Sequence, residues 1–490
     1  MAQKIVRAVV QLLVTVFIIC QPTITLADNL SLDDVRQILR QAREHVVSTP
    51  DAHHASRHLQ FIADAQAKAG DVDEAIQTAV AIDRLPKGRF GSLFTKESAL
   101  WAVHRARVDV GDIHGATKVQ SFFSVEEAAE SKALLLALLA EEKATTKDYD
   151  GAKLIVESIV DAEQRARGMA RIAHGQAIAG DVQGALHTAR SITDKASRSE
   201  SLGNVAVAQA RGGDFTGGIK TARSIVEEEK QINAYWDIAL IQAEKGAVED
   251  AMVTVAKIAS EWAYDDASLD VANIQATRGE MQPALKLAHR ISARWKRAIG
   301  IQEIARVQAL AGNRVGARKS LRIAYRTAQE EKNRWLRVRA LIRCAGTSVL
   351  VGNEEEALKV ASSLPNDEEA HEAPMRHQAL MAIVEALGTM GNIAAALKVE
   401  NLVLDQVREL PMAQRYSEVD VRKSIKLEMY PAMIRAYSKA GNGTAALAWA
   451  FELTDSELKG GVLLAIAEGA LDVLLPPAAP MKKQRFRFPL

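Results

Sequence analysis

The sequence predicts an all-α fold, a right-handed α–α superhelix built as a solenoid of about eleven helical hairpins. Three observations predict it. Residues 168–192 (GMARIAHGQAIAGDVQGALHTARSI) align without a gap on residues 201–225 (SLGNVAVAQARGGDFTGGIKTARSI), an offset of 33. A glycine then recurs in that phase at Gly180, Gly213, Gly246, Gly279 and Gly312. Finally, 48% of the residues are apolar but only 5% aromatic, which suits closely spaced helices, and no run alternates in the manner of a strand. A repeat of this length accounts for 490 residues without several compact domains.

Each repeat resolves into elements. Its first helix carries an apolar-small pair seven and eight residues before the glycine, as in Ile172-Ala173, Val205-Ala206, Ile238-Ala239, Val271-Ala272 and Ile304-Ala305. The alanine lets a neighbouring helix approach. The glycine ends that helix in the left-handed conformation that other residues adopt only with strain. Looser copies have Gly70, Gly111, Gly352, Gly391 and Gly441, and Lys147 stands where one glycine is due. An acid or amide follows at Asp71, Asp112, Asp148, Asp181, Asp214, Asn313, Asn353, Asn392 and Asn442, suited to cap the second helix. Five residues past the glycine comes a small residue, alanine in every copy but Gly218. Seven further on, an aliphatic such as Ile192, Ile225, Ile258 or Ile291 closes the stripe. Pro283 falls in a first turn, where its missing donor is tolerated.

A hairpin this small cannot bury its own apolar face, so the copies must stack as a rod. The expected organisation is a signal peptide over 1–27, an N-terminal capping helix and loop over 28–54, the solenoid over 55–455, a C-terminal capping helix over 456–475 and a flexible basic tail over 476–490. The spacing of 50 between Gly391 and Gly441 implies an inserted or lengthened helix around 402–426, and the acidic stretch PNDEEAHEAP at 365–374 reads as a second break.

Lys4 and Arg7, an apolar run over 8–20 and the small-residue end Thr25-Leu26-Ala27 have the layout of a secretory signal cleaved after Ala27. The run is short for a membrane span, and no later stretch is long enough, so a periplasmic or secreted chain without a span is expected. Loss of Lys4 and Arg7 leaves 60 Lys and Arg against 61 Asp and Glu, a net charge of −1. That balance argues against nucleic acid as the partner. Cys344 is then the one remaining cysteine, so a disulfide within the chain is excluded and a buried thiol is expected.

The glycine corner, the small residue before it and the alanine after it resemble the tetratricopeptide and pentatricopeptide class over about residues 55–455. The likeness is divergent: the unit is 33 residues, glutamine replaces the family's first-helix aromatic, and no proline closes it. The resemblance implies a protein-binding scaffold whose first helices line a concave groove, with groove-facing places six and ten residues before the glycine. These hold Arg105, His174, Asn273, Arg306 and Arg435, and Trp101, Trp236 and Gln302.

Two further columns stand out. Gln66, Gln176, Gln209, Gln242, Gln275 and Gln308 lie four residues before the glycine and read as a structural polar seam, with a ligand-facing strip as the alternative. Lys96, Lys132, Arg165, Arg198, Arg297, Arg337, Arg376 and Lys426 lie fifteen before it. They suit local ion pairs, such as Asp161 with Arg165 and Asp194 with Arg198, or capping of the previous helix, against an anion-binding stripe. His53, His54 and His58 form a surface cluster without the company of a metal site, and His371-Glu372 followed by His377 misses the zinc-protease spacing. No nucleotide loop or nucleophile elbow is present. No cofactor or metal is expected.

The expected function is therefore a non-catalytic exported scaffold for a protein or peptide. The alternative is a polysaccharide-binding or export accessory factor of the cell envelope using Trp101, Trp236, Tyr264 and the basic column. An enzyme subunit with a superhelical frame comes behind both, and an RNA reader is opposed by charge and export signal.

Overall fold

A computed structural model describes residues 30–49, 51–85, 94–364, 375–408 and 418–475. The signal segment, Cys20, the 365–374 break with His371 and Glu372, and the basic tail lie outside them. The described chain is all-helical, a solenoid without a strand among the described residues.

After α1 (Leu32–Val47) come hairpins α2/α3 (Ala52–Lys68, Val72–Ala81), α4/α5 (Lys96–Asp109, Ile113–Gln120), α6/α7 (Val125–Thr145, Tyr149–Glu157) and α8/α9 (Ala162–Ile178, Val182–Ser191). They continue with α10/α11 (Lys195–Arg211, Phe215–Arg223), α12/α13 (Glu228–Glu244, Val248–Val255), α14/α15 (Glu261–Thr277, Met281–Ala288) and α16/α17 (Arg294–Leu310, Arg314–Gln329). The last are α18/α19 (Arg334–Leu350, Glu354–Ser363), α20/α21 (Met375–Thr389, Ile393–Arg408) and α22/α23 (Glu418–Tyr437, Gly443–Phe451), before the terminal α24 (Ser456–Leu474). The longer spacings hold long helices: the second helices α17 and α21 have 16 residues each, where the other second helices have 8–10, and the first helix α22 has 20.

The corners follow from backbone chemistry. All ten turn glycines have positive φ, between 73° and 92°. At the first corner Asp71 N–H donates to the Gln66 carbonyl and Gly70 N–H to that of Ala67, both at 2.9 Å, the double closure that satisfies a helix C-terminus. Asp112, Asp148, Asp181, Asp214 and Asn313 each accept the N–H three residues on, at 2.8–3.0 Å. That third residue is glycine every time, because a Cβ there would stand 2.0–2.6 Å from the capping side chain. Asp71 and Asn442 make no such cap bond, a correction to the expected column.

Lys147 sits in the corner at φ 69°, the sole positive-φ residue other than glycine among the described residues. A left-handed conformation costs an L-residue about 1–2 kcal/mol, and Lys147 is exposed. Lys147→Gly is accordingly expected to stabilise the chain by roughly 1 kcal/mol. A rise in the denaturant midpoint at unchanged slope would show it; a fall would mean that the lysine side chain outweighs the strain.

Neighbouring first helices pack side by side, with second helices between and outside them. The small residues five past each corner, Ala75 through Ala446, are fully buried alanines. At Gly218 a Cβ would come within 2.7 Å of the Ala206 carbonyl oxygen.

The stack is not an open rod. α1 packs antiparallel on α24, and both touch α2. At one end His45 Nδ1 lies 2.9 Å from Ser456 Oγ, and a Cβ on Gly460 would come within 2.7 Å of Val46 Cγ2. At the other end Arg36 Nε donates to the Ala69 carbonyl at 2.9 Å. α24 thus takes the place of a first helix and α1 that of its second, so two helices from opposite ends of the chain form a twelfth hairpin. This joint closes the solenoid into a ring. It explains why α24 is buried over most of its circumference, where a helix capping an open end would keep a polar face.

Candidate functional site

Ring closure turns the concave face inward. Residues of α1, α2, α4, α6, α8, α10, α12 and α24 and their adjoining corners line a solvent-open cavity of about 2300 Å³. Its lining carries eight Lys or Arg and eight Asp or Glu side chains, so neither sign dominates. Along the best-defined wall the lining residues lie 2, 6, 9, 13 and 16 before the corner. Arg171, Asn204 and Asp237 supply the place at nine, and Leu134, Arg167 and Glu200 the place at thirteen. Steps of four and three alternate, which is one face of a helix.

Of the expected groove residues, Trp101 and His174 line the cavity. Trp101 stacks on Phe123 with centroids 4.7 Å apart. His174 Nδ1 meets Glu141 Oε1, and Arg171 reaches the other Glu141 oxygen at 2.9 Å. Burial pushes the Glu141 carboxyl up, but the His174 hydrogen bond and the Arg171 charge outweigh it and hold it below the usual range. Arg105 is exposed. Arg306 is held by Glu303 through its Nε at 2.7 Å, and Arg435 pairs with Glu468 at 3.3 Å and Asp472 at 3.6 Å. Asn273 is half-buried, with its carbonyl oxygen unpartnered.

The place ten before the corner needs correction. Trp236 is 4% exposed and donates from Nε1 to Asp270 at 3.0 Å; Gln302 is 3% exposed and donates to Thr347 Oγ1 at 2.7 Å. Both point into a helix interface rather than a groove. The places at nine and thirteen carry the lumen instead, and their three-and-four spacing was readable once the inner face was known.

Confinement shows in the electrostatics. Burial raises the Asp109, Glu385 and Glu468 carboxyls, against the pull of Arg105 and Arg171 on the first and of Arg435 on the other two. Asp109 and Glu385 still meet solvent, so the cause is protein on several sides of them, not immersion in the core.

The two polar columns turn out to be structural. Thr78, Thr188, Thr221 and Thr254, each twelve residues after a column glutamine, donate their hydroxyls to Gln66, Gln176, Gln209 and Gln242 at 2.7–2.8 Å. The amides clasp the two helices of one hairpin. Where position twelve is Leu287, the Gln275 oxygen has no partner. In the basic column Arg165, Arg198, Arg297 and Arg337 donate at 2.6–2.9 Å to the carbonyls of Ile159, Ile192, Ile291 and Glu331. Each guanidinium satisfies the end of the preceding hairpin. Asp161 and Asp194 are N-caps, accepting from Gln164 and Ser197 N–H groups, so the expected helical ion pairs are not the use of these side chains.

The histidine cluster lies at the closing joint. His54 Nδ1 is 3.1 Å from Glu457, which Lys423 also reaches at 2.8 Å. Burial lowers the His58 pKa. No group of metal-ligating side chains occurs among the described residues. Cys344 is fully buried, and burial pushes its thiol up.

In architecture the chain is a helical-hairpin repeat protein. No protein-family model and no curated protein matches it in sequence. Similar solved structures include the complex of Naa15/Naa10 bound to HypK-THB, at 13% identity and TM-score 0.27 over 91% of this chain and 85% of that one. A human IFIT1 dimer with m7Gppp-AAAA matches at 14% identity and TM-score 0.23 over 90% and 95%. A circular tandem repeat protein with novel repeat topology matches at 14% and 0.13 over 90% and 95%. These scores are too low to bring a site or a ligand to this chain.

Proposed function

We propose that this protein is an exported, non-catalytic scaffold that holds a polypeptide partner in the lumen of its ring. The observation that carries the reading is the contrast between columns. The core place five past the corner keeps alanine in every copy but one, while the place six before the corner, which lines the cavity at His174, Val207 and Leu240, runs Arg105, Glu141, His174, Val207, Leu240, Asn273 and Arg306. A wall varied in this way, with both signs of charge in equal number, is complementary to a particular chain bearing both signs. It does not suit a polyanion, whose binding needs a surplus of cations. Export rests on the 1–27 segment and places the protein in the periplasm or outside the cell.

A photo-crosslinking side chain placed at Arg171 in the lumen, and at exposed Leu154 on the outer helix α7, tests the reading in living cells. Protein adducts are expected from the inner position and not from the outer one. Equal yields would remove the lumen assignment, and adducts carrying glycan without protein would transfer the role to an envelope polysaccharide. The purified exported chain is expected to begin at Asp28; a chain retaining Met1 would remove the export half.

A further inference from the structure

Three consecutive hairpins carry tryptophan at one place, seventeen before the corner: Trp262, Trp295 and Trp335. In three other hairpins that place is held by Glu130, Glu163 and Ala196, which line the cavity; the indoles occupy the equivalent first-turn place of α14, α16 and α18. Trp262 is 56% and Trp335 36% exposed, far more than an aromatic needed for packing would be.

A cation is set between each pair. Lys296 Nζ lies 4.1 Å from the Trp262 centroid and 5.7 Å from that of Trp295. The Arg339 guanidinium lies 5.7 Å from Trp295 and 5.2 Å from Trp335. Lys296 is 2% exposed and anchored to Asp266 at 2.8 Å and the Trp262 carbonyl at 2.9 Å. A buried ammonium is costly unless so paired, and here it holds an exposed indole in place. Arg339 is exposed and retains free donors.

We infer that this ladder is a binding site for a proline-rich segment in the polyproline II conformation. The cation distances place neighbouring indoles no more than about 10 and 11 Å apart, a span that accommodates the ~9.3 Å advance of one three-residue polyproline II turn. One turn can then meet one tryptophan. Polyproline II makes no internal hydrogen bonds, so its carbonyls seek donors. The three indole N–H groups donate to no acceptor among the described residues, and Arg339 stands between two of them. A preformed row of aromatics matched to a preformed helix also limits the ordering entropy of binding. The ladder lies outside the residues that line the cavity, so the inference goes beyond the reading above and does not depend on it.

The test is fluorescence anisotropy of the full exported protein with an end-labelled oligoproline about four polyproline II turns long, beside a glycine-serine peptide of equal length. Saturable binding of the oligoproline alone is expected, weakened roughly tenfold or more in Trp295→Ala and in Arg339→Ala. Trp262→Ala, at the most exposed rung, is expected to weaken binding in the same direction, with circular dichroism and the unfolding midpoint of each variant showing that the fold is kept. No saturation, equal binding of the glycine-serine peptide, or undiminished binding by all three variants would overturn the inference. So would competition by a β-linked glucose oligomer that itself binds and is lost in the same variants, which would make the ladder a glycan platform. Protein crosslinks at Arg171 without oligoproline binding would leave the lumen reading standing and sink the ladder alone.

Discussion

Removing residues 456–490 is expected to open the ring and expand the molecule. α24 buries Leu458, Val462, Leu463, Leu464, Ile466 and Leu471. At ~1.5–3 kcal/mol per side chain their burial is worth on the order of 10 kcal/mol before chain entropy is set against it. Without α24, the apolar stripe of α1 formed by Val35, Ile38, Leu39, Ala42 and Val46 loses its main cover, as does the face of α22 that packs on α24. Hairpin arrays unfold from their ends, so the shortened chain gains two ends that the ring lacks. Small-angle scattering should report a larger radius of gyration, and thermal unfolding should begin at lower temperature and spread over a wider range. Gly460→Val is the milder form: its side chain would press on Val46 Cγ2 and on the Ala42 carbonyl, at a cost of about 1–3 kcal/mol. A truncated chain with the same radius and the same sharp transition would show that the joint contributes nothing to the shape.

The second large effect concerns the amide clasp. Gln242→Leu is expected to cost about 1–3 kcal/mol, because it leaves the fully buried Thr254 hydroxyl without its acceptor. Thr254→Val should cost a similar amount by stranding the Gln242 oxygen. Together the two substitutions should recover much of the loss, since an apolar pair of like shape carries no unsatisfied group. Denaturant titrations of the four proteins give the coupling directly. Additive losses would mean that the bond at 2.7 Å is incidental and that shape alone holds the hairpin.

The glutamine column shows how far sequence reading reached. Its burial was legible, since a column of amides in register with the apolar stripe must be satisfied inside the stack. The partner repeats with it, since Thr78, Thr188, Thr221 and Thr254 each stand twelve residues after a column glutamine, but only packing shows that the two side chains meet. In the basic column Arg165, Arg198, Arg297, Arg337 and Arg376 cap carbonyls of the preceding hairpin, Lys96 makes a local ion pair with Asp83, and Asp161 serves as an N-cap in place of pairing with Arg165. Trp236 and Gln302 were placed on the groove by resemblance, and packing between neighbouring first helices buried them. The tryptophan ladder is hard to see in the sequence because its three members stand 33 and 40 residues apart, and the lengthened α17 shifts the register.

What the sequence determined by itself is everything that local chemistry demands: helices, capped starts, corners that need positive φ, and alanine where two backbones meet. Those requirements act within a few residues, so each leaves its mark at a fixed place in every copy. Only the tertiary structure decided that the stack closes, that α1 and α24 complete one another, and that the varied face looks inward on a cavity. Closure depends on a small rotation added at each hairpin and summed around the whole array. No single repeat encodes that sum.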